Sequence, residues 1–244
     1  MTRTAEVPEA GYRGRRPNGP HPGILMLVAL VLTLLGVGLG AALSGGAVVS
    51  SPFAATAEVA QRFQDYPLAV RISAWLQVGS AVPLLIAAAT FFARQQRLGI
   101  RVPGPVIGLA GGVLASTMLM VSGLVGWVLS RPEVTGDATL THALNFFSFI
   151  TGSVGFVLGI GLLVAGIAVP ALVLLLVPRW LAWAGLVIAL CAELSFLAMV
   201  LEPLQFLFPI GRFLGLLWLV VAGFLLPSTR TAAGRASRDR ADPT

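Results

Sequence analysis

The sequence predicts an all-α polytopic membrane protein with six transmembrane helices, both termini in the cytoplasm and a short outer interfacial helix. Hydrophobic residues make up 57% of the 244-residue chain and charged residues only 11%. In a typical soluble domain, charged residues make up about a quarter of the sequence. Six apolar stretches are long enough to cross a bilayer as helices, which takes about 20 residues each. Most arginines outside these stretches fall on one side of them.

The chain divides into a membrane domain and two tails. Residues 1–22 mix Arg, Gly, Pro and Glu without apolar periodicity, and residues 228–244 are again rich in Arg. Both segments are predicted to be disordered cytoplasmic tails, because neither has an apolar face to bury. The six-helix transmembrane domain covers residues 23–227. Its predicted spans are residues 24–49, 68–93, 103–129, 144–169, 180–201 and 205–226.

The first span is predicted to be a retained helix. Its apolar run is longer than a signal-peptide core, and five further spans follow it. After this span, Ser51 and Pro52 are the residue types of a helix N-cap and first turn. The segment from there to Tyr66 places apolar and charged residues on opposite helical faces. This pattern predicts a short helix lying on the outer membrane surface.

Prolines and arginines mark the boundaries of the middle spans. The second span ends among three arginines, after which Pro103 opens the third. The uncharged stretch 144–177 would be about 50 Å long as one helix, against a hydrocarbon thickness of about 30 Å. Because Pro170 lacks a backbone N–H, we expect the fourth span to end near Val169, followed by a kinked or interfacial continuation.

The arginines indicate the orientation of the bundle. All 16 basic residues of the chain are arginine. Twelve of them lie on the side of the two tails, and only Arg62 and Arg131 lie on the other side. Since cytoplasmic loops carry the excess of Lys and Arg, both tails are predicted to be cytoplasmic. We expect a multi-pass protein of the plasma membrane.

Two ionisable residues within the spans are the main candidate site. An ionisable side chain in hydrocarbon costs several kcal/mol unless it is paired or hydrated. Glu193 in the fifth span and Arg212 in the sixth are predicted to lie at matching depths, about 10–13 Å from the outer end at 1.5 Å per residue. A very short turn after Glu202 makes these spans neighbours, so we predict a Glu193–Arg212 ion pair. It would be either a structural link or a substrate- or proton-binding site.

Other polar residues cluster in the outer half of the predicted bundle. Arg71 could extend to lipid headgroups, pair with Asp65 or enter the same site. Gln77, His142, Asn145 and Gln205 complete the set of ligand candidates. A ligand cavity built from these residues would open outward.

The sequence contains no recognisable catalytic or cofactor motif. It has no phosphate-binding loop with Lys, no Gly-x-Ser-x-Gly nucleophile and no paired aspartates of an intramembrane protease. His142 and the nearby acids Glu133, Asp137 and Glu202 lack the spacing of a metal site. We therefore predict no catalytic residue, no cofactor and no metal.

The lipid bilayer is the first predicted partner. The net charge of +6 does not indicate a nucleic-acid partner, because the arginines are divided among tails and loops. Gly-x-x-x-Gly spacings allow helices to approach closely, either within one bundle or in a homo-oligomer. These spacings are Gly36/Gly40, Gly104/Gly108/Gly112, Gly155/Gly159 and Gly211/Gly215.

Three short motifs carry a family resemblance. They are Tyr-Pro-Leu-Ala-Val-Arg at 66–71, Val-Pro-Arg-Trp-Leu-Ala-Trp-Ala-Gly at 177–185 and Leu-Leu-Trp-Leu at 216–219. Over residues 23–226 the chain resembles a group of uncharacterised bacterial six-helix integral membrane proteins, a domain of unknown function. Members often carry an acidic residue near the position of Arg212, where this chain departs from the pattern. The resemblance implies a fold and no activity.

Two functional hypotheses follow from these observations. The first is a non-enzymatic membrane protein that binds a small apolar or amphipathic ligand or a lipid, or acts as an accessory subunit. The second is a small secondary transporter that uses the intramembrane Glu193 and Arg212 for coupled movement of protons or solute. An intramembrane enzyme has the least support. The chain has no domain able to hold ATP, which argues against primary active transport.

Overall fold

A computed structural model describes residues 19–46, 52–229 and 234 of the chain. Most residues of the two predicted tails lie outside these described residues. The predicted N-cap Ser51 also lies outside them. Within the described ranges all regular secondary structure is helical. The helices are α1 (Pro22–Leu43), α2 (Thr56–Asp65), α3 (Pro67–Arg97), α4 (Gly104–Val128), α5 (Pro132–Thr135), α6 (Ala138–Val173), α7 (Arg179–Met199) and α8 (Glu202–Leu225).

Six of these helices, α1, α3, α4, α6, α7 and α8, are long and apolar enough to cross a membrane. This confirms the predicted all-α polytopic fold. The helices pack in a ring, in which α3 contacts α1 and α4, α6 contacts α4 and α7, and α8 returns to α1. Helix α6 is the most buried of the six and α1 the least. The core therefore lies around α6.

The two ends of the bundle differ in charge. Four arginines lie where α3 ends, α4 begins and α7 begins, and we term this the arginine-rich end; they are Arg94, Arg97, Arg101 and Arg179. The rings of His21 and Phe224 are 5.0 Å apart there, so the start of α1 lies beside the end of α8. The opposite end carries α2, which packs against α3, α5 and α6, and is termed the α2 end.

Helix α6 is longer than the predicted fourth span. It begins at Ala138, where the Asp137 side chain accepts hydrogen bonds from the backbone N–H groups of Thr139 and Leu140. It continues through Pro170 to Val173. Its excess length therefore lies mostly at the α2 end, where its first turns contact α2 and α5.

Regular helix geometry is interrupted in the last three spans. Helix α6 contains a π-helical turn at Thr151–Gly155, and α8 contains another at Ile210–Leu214. Helix α7 ends and α8 begins in 3₁₀ turns, Ser195–Met199 and Glu202–Phe206. Turns of the π type re-aim side chains and occur often at functional sites. The interruption in α8 contains Arg212.

Candidate ligand cavity

Glu193 and Arg212 do not form the predicted ion pair. Glu193 Oε1 and Arg212 Nε are both buried without a hydrogen-bond partner. The Glu193 carboxylate lies against Gly161, with Oε1 2.6 Å from the position of a Cβ added there. The Arg212 guanidinium lies over the ring of Phe156, with Cζ 5.0 Å from the ring centroid. Phe156 and Gly161 are five residues apart on α6, about 7.5 Å in depth.

The direction of helical side chains explains the separation. The backbones do meet, since a Cβ added at Gly211 of α8 would lie 3.3 Å from Ala192 Cα of α7. However, each Cα–Cβ bond in a helix tilts toward that helix's own N-terminus. The two helices are antiparallel, so Glu193 extends toward the arginine-rich end and Arg212 toward the α2 end. The depth predicted from the sequence was therefore right for the two backbones but not for the charged groups at the ends of the side chains.

Arg212 lines a cavity of about 590 Å³ at the α2 end, and Glu193 does not. Residues of α1, α2, α3, α4, α6 and α8 form its walls. The volume lies within the range of small-molecule sites in proteins, about 300–1,000 Å³. No Asp or Glu is among the lining residues that the structure describes. Their charged and polar side chains are those of Thr33, Ser44, Arg62, Tyr66, Ser73, Gln77, Ser122, Asn145, Ser148, Ser153, Gln205 and Arg212.

Several groups of this polar cavity have no protein partner. Among the described residues, no side-chain hydrogen bond or ion pair reaches Arg212, and the Asn145 and Gln205 amides make none. Gln77 Nε2 makes one long contact of 3.4 Å to the Leu119 carbonyl. A cation without a partner in a membrane-embedded bundle needs water or an anion beside it.

Other polar groups of the cavity are used within the fold. Ser122 on α4 and Ser148 on α6 each donate to the other's carbonyl, at 2.8 and 3.1 Å. Ser73 donates to the carbonyl of Gly36, at 3.0 Å. These bonds join α4 to α6 and α3 to α1 along the cavity walls. The sequence analysis did not single out these serines. Ser148 and Ser153 are polar residues within an otherwise mostly apolar span, and this could have indicated that one face of the span is polar.

His142 belongs to the attachment of α2 and not to the cavity. Its Nδ1 lies 2.8 Å from Thr56 Oγ1, and its Nε2 lies 2.8 Å from the Pro52 carbonyl oxygen. The carbonyl can only accept, so Nε2 is the donor to Pro52, and Nδ1 and the Thr56 hydroxyl form the second hydrogen bond. A further bond runs from Gln64 Nε2 to the Thr135 carbonyl. These contacts hold α2, which contributes Arg62 and Phe63 to the cavity wall.

Arg71 also lies outside the cavity. Its side chain is exposed, and its Nε is 3.4 Å from Ser130 Oγ. It makes no ion pair with Asp65. Of the predicted candidates, the structure therefore brings Arg212, Gln77, Asn145 and Gln205 together and places Glu193, Arg71 and His142 elsewhere.

The fold and the cavity define a class of protein. The chain is a multi-pass α-helical membrane protein with an arginine-lined cavity in one half of its bundle. Comparison with protein-family models, curated proteins and solved structures gives no significant match.

Proposed function

We propose that the protein is a non-enzymatic membrane protein that binds a small amphipathic ligand or lipid in the polar cavity. The ligand's anionic or hydrogen-bond-accepting head would lie beside Arg212. One observation carries the proposal: Arg212 lines a cavity of about 590 Å³ and has no hydrogen-bond or ion-pair partner among the described residues. We further propose that the protein resides in the plasma membrane with both tails in the cytoplasm, on the arginine distribution.

Charge and hydrogen bonding favour an anionic head. The described lining includes two arginines and no carboxylate, so the cavity attracts negative charge. The guanidinium offers a planar set of N–H donors that matches carboxylate and phosphate groups. The unpartnered amides of Asn145 and Gln205 add donors and acceptors for the polar part of a ligand.

Aromatic and aliphatic walls favour an apolar body on the same ligand. Phe63, Phe149 and Phe208 line the cavity, together with aliphatic side chains of α1, α3 and α4. Ligand sites of this kind are mostly apolar, with a few placed polar groups that orient the ligand. The cavity fits a molecule such as a fatty acid better than a small inorganic ion.

Photo-crosslinking tests the binding proposal. The purified protein is incorporated into lipid nanodiscs with a fatty acid that carries a diazirine in its chain, and labelled peptides are mapped by mass spectrometry. We expect labels on the cavity segments of α3, α6 and α8, and competition by the free fatty acid but not by its methyl ester. Arg212→Gln should lower labelling about 10-fold or more, because hydrogen bonds to charged groups contribute about 1.5–3 kcal/mol.

Arg71→Gln is the matched control. It removes the same charge from an exposed position outside the cavity, so labelling should match that of the unaltered protein. Equal labelling in Arg212→Gln and Arg71→Gln would contradict the proposal. Thermal unfolding of each variant shows whether the fold is retained.

A secondary transporter is the second candidate function. It is favoured by the π turns of α6 and α8, both of which contribute residues to the cavity. Interrupted helices at a central site are common in transporters. Glu193 would then serve as a separate proton-binding group on the side of α6 facing α7.

Proteoliposomes separate the two functions. With a pH-sensitive dye inside and a fatty-acid gradient imposed, transport predicts dye changes faster than in empty liposomes. Glu193→Gln should abolish that difference while crosslinking at the cavity persists. Binding alone predicts the same dye signal with and without protein.

A further inference from the structure

A second cavity, of about 630 Å³, opens at the arginine-rich end. It lies between the end of α3, the start of α1 and the end of α8, and we term it the basic groove. Its charged members are Arg94 and Arg97, with His21 beside them, and none of its described lining residues is acidic. The other lining residues are Gly19, Pro20, Ile86, Ala89, Thr90, Ala93, Phe224, Leu225, Leu226, Pro227 and Ser228.

Arg94 is held in place by the last turn of α8. Its Nη1 donates to the carbonyls of Gly223, at 3.2 Å, and Leu226, at 3.0 Å. The other N–H groups of this guanidinium have no partner among the described residues. A cation that is already fixed loses little conformational entropy when it binds an anion. The groove therefore contains a preorganised donor for a phosphate oxygen.

His21 lies within the positive field of the groove. Its Nδ1 is buried without a hydrogen-bond partner. Burial, and next the charge of Arg94, lower the pKa of His21 below its ordinary value. Among the residues that the structure describes, no acidic side chain of the groove balances this positive charge.

The groove is charged at one end, at Arg94 and Arg97, and apolar at the other, at Ile86. Ile86 precedes Arg97 by eleven residues on α3, which is about 16 Å of helix. Ile86, Phe224 and Leu225 are 42%, 50% and 44% exposed, so the apolar part of the groove is open on the side that faces lipid. A molecule lying here would have its charged end near Arg94 and its apolar body along Ile86.

We infer that the basic groove binds an anionic phospholipid, with the headgroup phosphate at Arg94 and Arg97 and an acyl chain along α3. Basic pockets between transmembrane helices on the cytoplasmic side are a recurring form of lipid headgroup site. The apolar length of the groove favours a lipid over a free phosphate ion. This site is at the opposite end of the bundle from the polar cavity, so the inference does not depend on the proposed function.

Native mass spectrometry of the full chain tests this inference. The protein is released from micelles that contain equal amounts of phosphatidylglycerol and phosphatidylcholine, and the bound lipids are counted. We expect preferential retention of phosphatidylglycerol. Ala89→Glu, which adds a negative charge at an exposed position of the groove, should lower that retention about threefold, the size of a partly screened charge interaction.

Ala89→Lys is the matched control at the same position, with the opposite charge. It should retain phosphatidylglycerol at least as well as the unaltered protein. Arg97→Gln should reduce retention, whereas Arg101→Gln, which removes a charge outside the groove, should not. Equal retention of the two lipids, or equal retention in Ala89→Glu and Ala89→Lys, would overturn the inference.

Inorganic phosphate distinguishes a lipid site from an ion site. The melting temperature in neutral detergent is measured with added phosphate, at constant ionic strength, and with added phosphatidylglycerol. Stabilisation by phosphatidylglycerol and none by phosphate supports the lipid. Equal stabilisation by both would overturn the assignment to a phospholipid.

Discussion

Gly159 shows how closely α4 and α6 approach each other. A Cβ added at Gly159 would lie 2.7 Å from the Gly111 carbonyl oxygen and 2.8 Å from Ala115 Cα. Both are main-chain atoms, so the helices would have to separate. We expect Gly159→Ala to lower the free energy of unfolding by about 1–3 kcal/mol, the usual cost of overpacking. Reversible unfolding in mixed micelles, with increasing denaturing detergent, measures this change.

Gly38→Ala on α1 is the control for that substitution. A Cβ at Gly38 would meet no heavy atom within 4 Å. The free energy of unfolding should be unchanged, or higher by about 0.5–1 kcal/mol, because alanine restricts the unfolded chain. Equal destabilisation by both substitutions would contradict the packing argument.

Individual site residues were only partly predictable. The rarity of charge within spans singled out Arg212 and Glu193, of which only Arg212 lines the cavity, and the three polar residues grouped with them by depth, Gln77, Asn145 and Gln205, line it too. Which face of a span a side chain lies on was not predictable, because the spans are apolar on nearly every face. The separation of Glu193 from Arg212 has another cause: the match of backbone depths left out the tilt of each side chain toward its own helix's N-terminus.

The attachment of α2 is a property of two elements. His142 on α6 bonds both Thr56 and the Pro52 carbonyl, and each such bond contributes about 0.5–1.5 kcal/mol. We expect His142→Ala to raise amide hydrogen exchange in Val59–Phe63 about 10-fold, with α4 unchanged. Thr139→Ala, at an exposed position one turn earlier on α6, should leave exchange in α2 as it is. Unchanged exchange in His142→Ala would show that other contacts hold α2.

Elements were more predictable than their ends. Apolar length identified all six spans, and amphipathic spacing identified α2. Pro52, predicted to lie in the first turn of this helix, precedes the observed start at Thr56 by four residues. The π turns of α6 and α8 had no sequence signal of their own.

The Gly-x-x-x-Gly spacings are used between helices of one bundle. A Cβ at Gly108 would meet the backbone of Gly166, and one at Gly215 would meet Ile160. Close approach of this kind replaces large side-chain contacts in membranes. Homo-oligomerisation through these faces stays a prediction.

The orientation of the whole molecule is tested by cysteine labelling. Cys191 is the only cysteine of the chain, so Cys191→Ala provides a cysteine-free background. We introduce Thr139→Cys at the α2 end and Val102→Cys at the arginine-rich end, both at exposed positions. Because positive charge stays in the cytoplasm, a membrane-impermeant maleimide applied to intact cells should label Thr139→Cys only.

Membrane permeabilisation provides the control for this experiment. After permeabilisation both introduced cysteines should react, which shows that each is accessible when the reagent reaches it. Labelling of Val102→Cys in intact cells would show that the protein has the opposite orientation in the membrane. The polar cavity would then open toward the cytoplasm.

The return of α8 to α1 and α3 has a consequence for biosynthesis. Helices enter the bilayer in chain order, so α1 and α3 are in place long before α8 leaves the ribosome. Until then Arg94 lacks the two carbonyls that it bonds in the finished protein, and Gly23 lacks the Phe224 ring that packs on it. The bundle can close only after the last helix has been translated. In a chain that stops before α8, the surfaces of α1 and α3 that contact α8 have no packing partner.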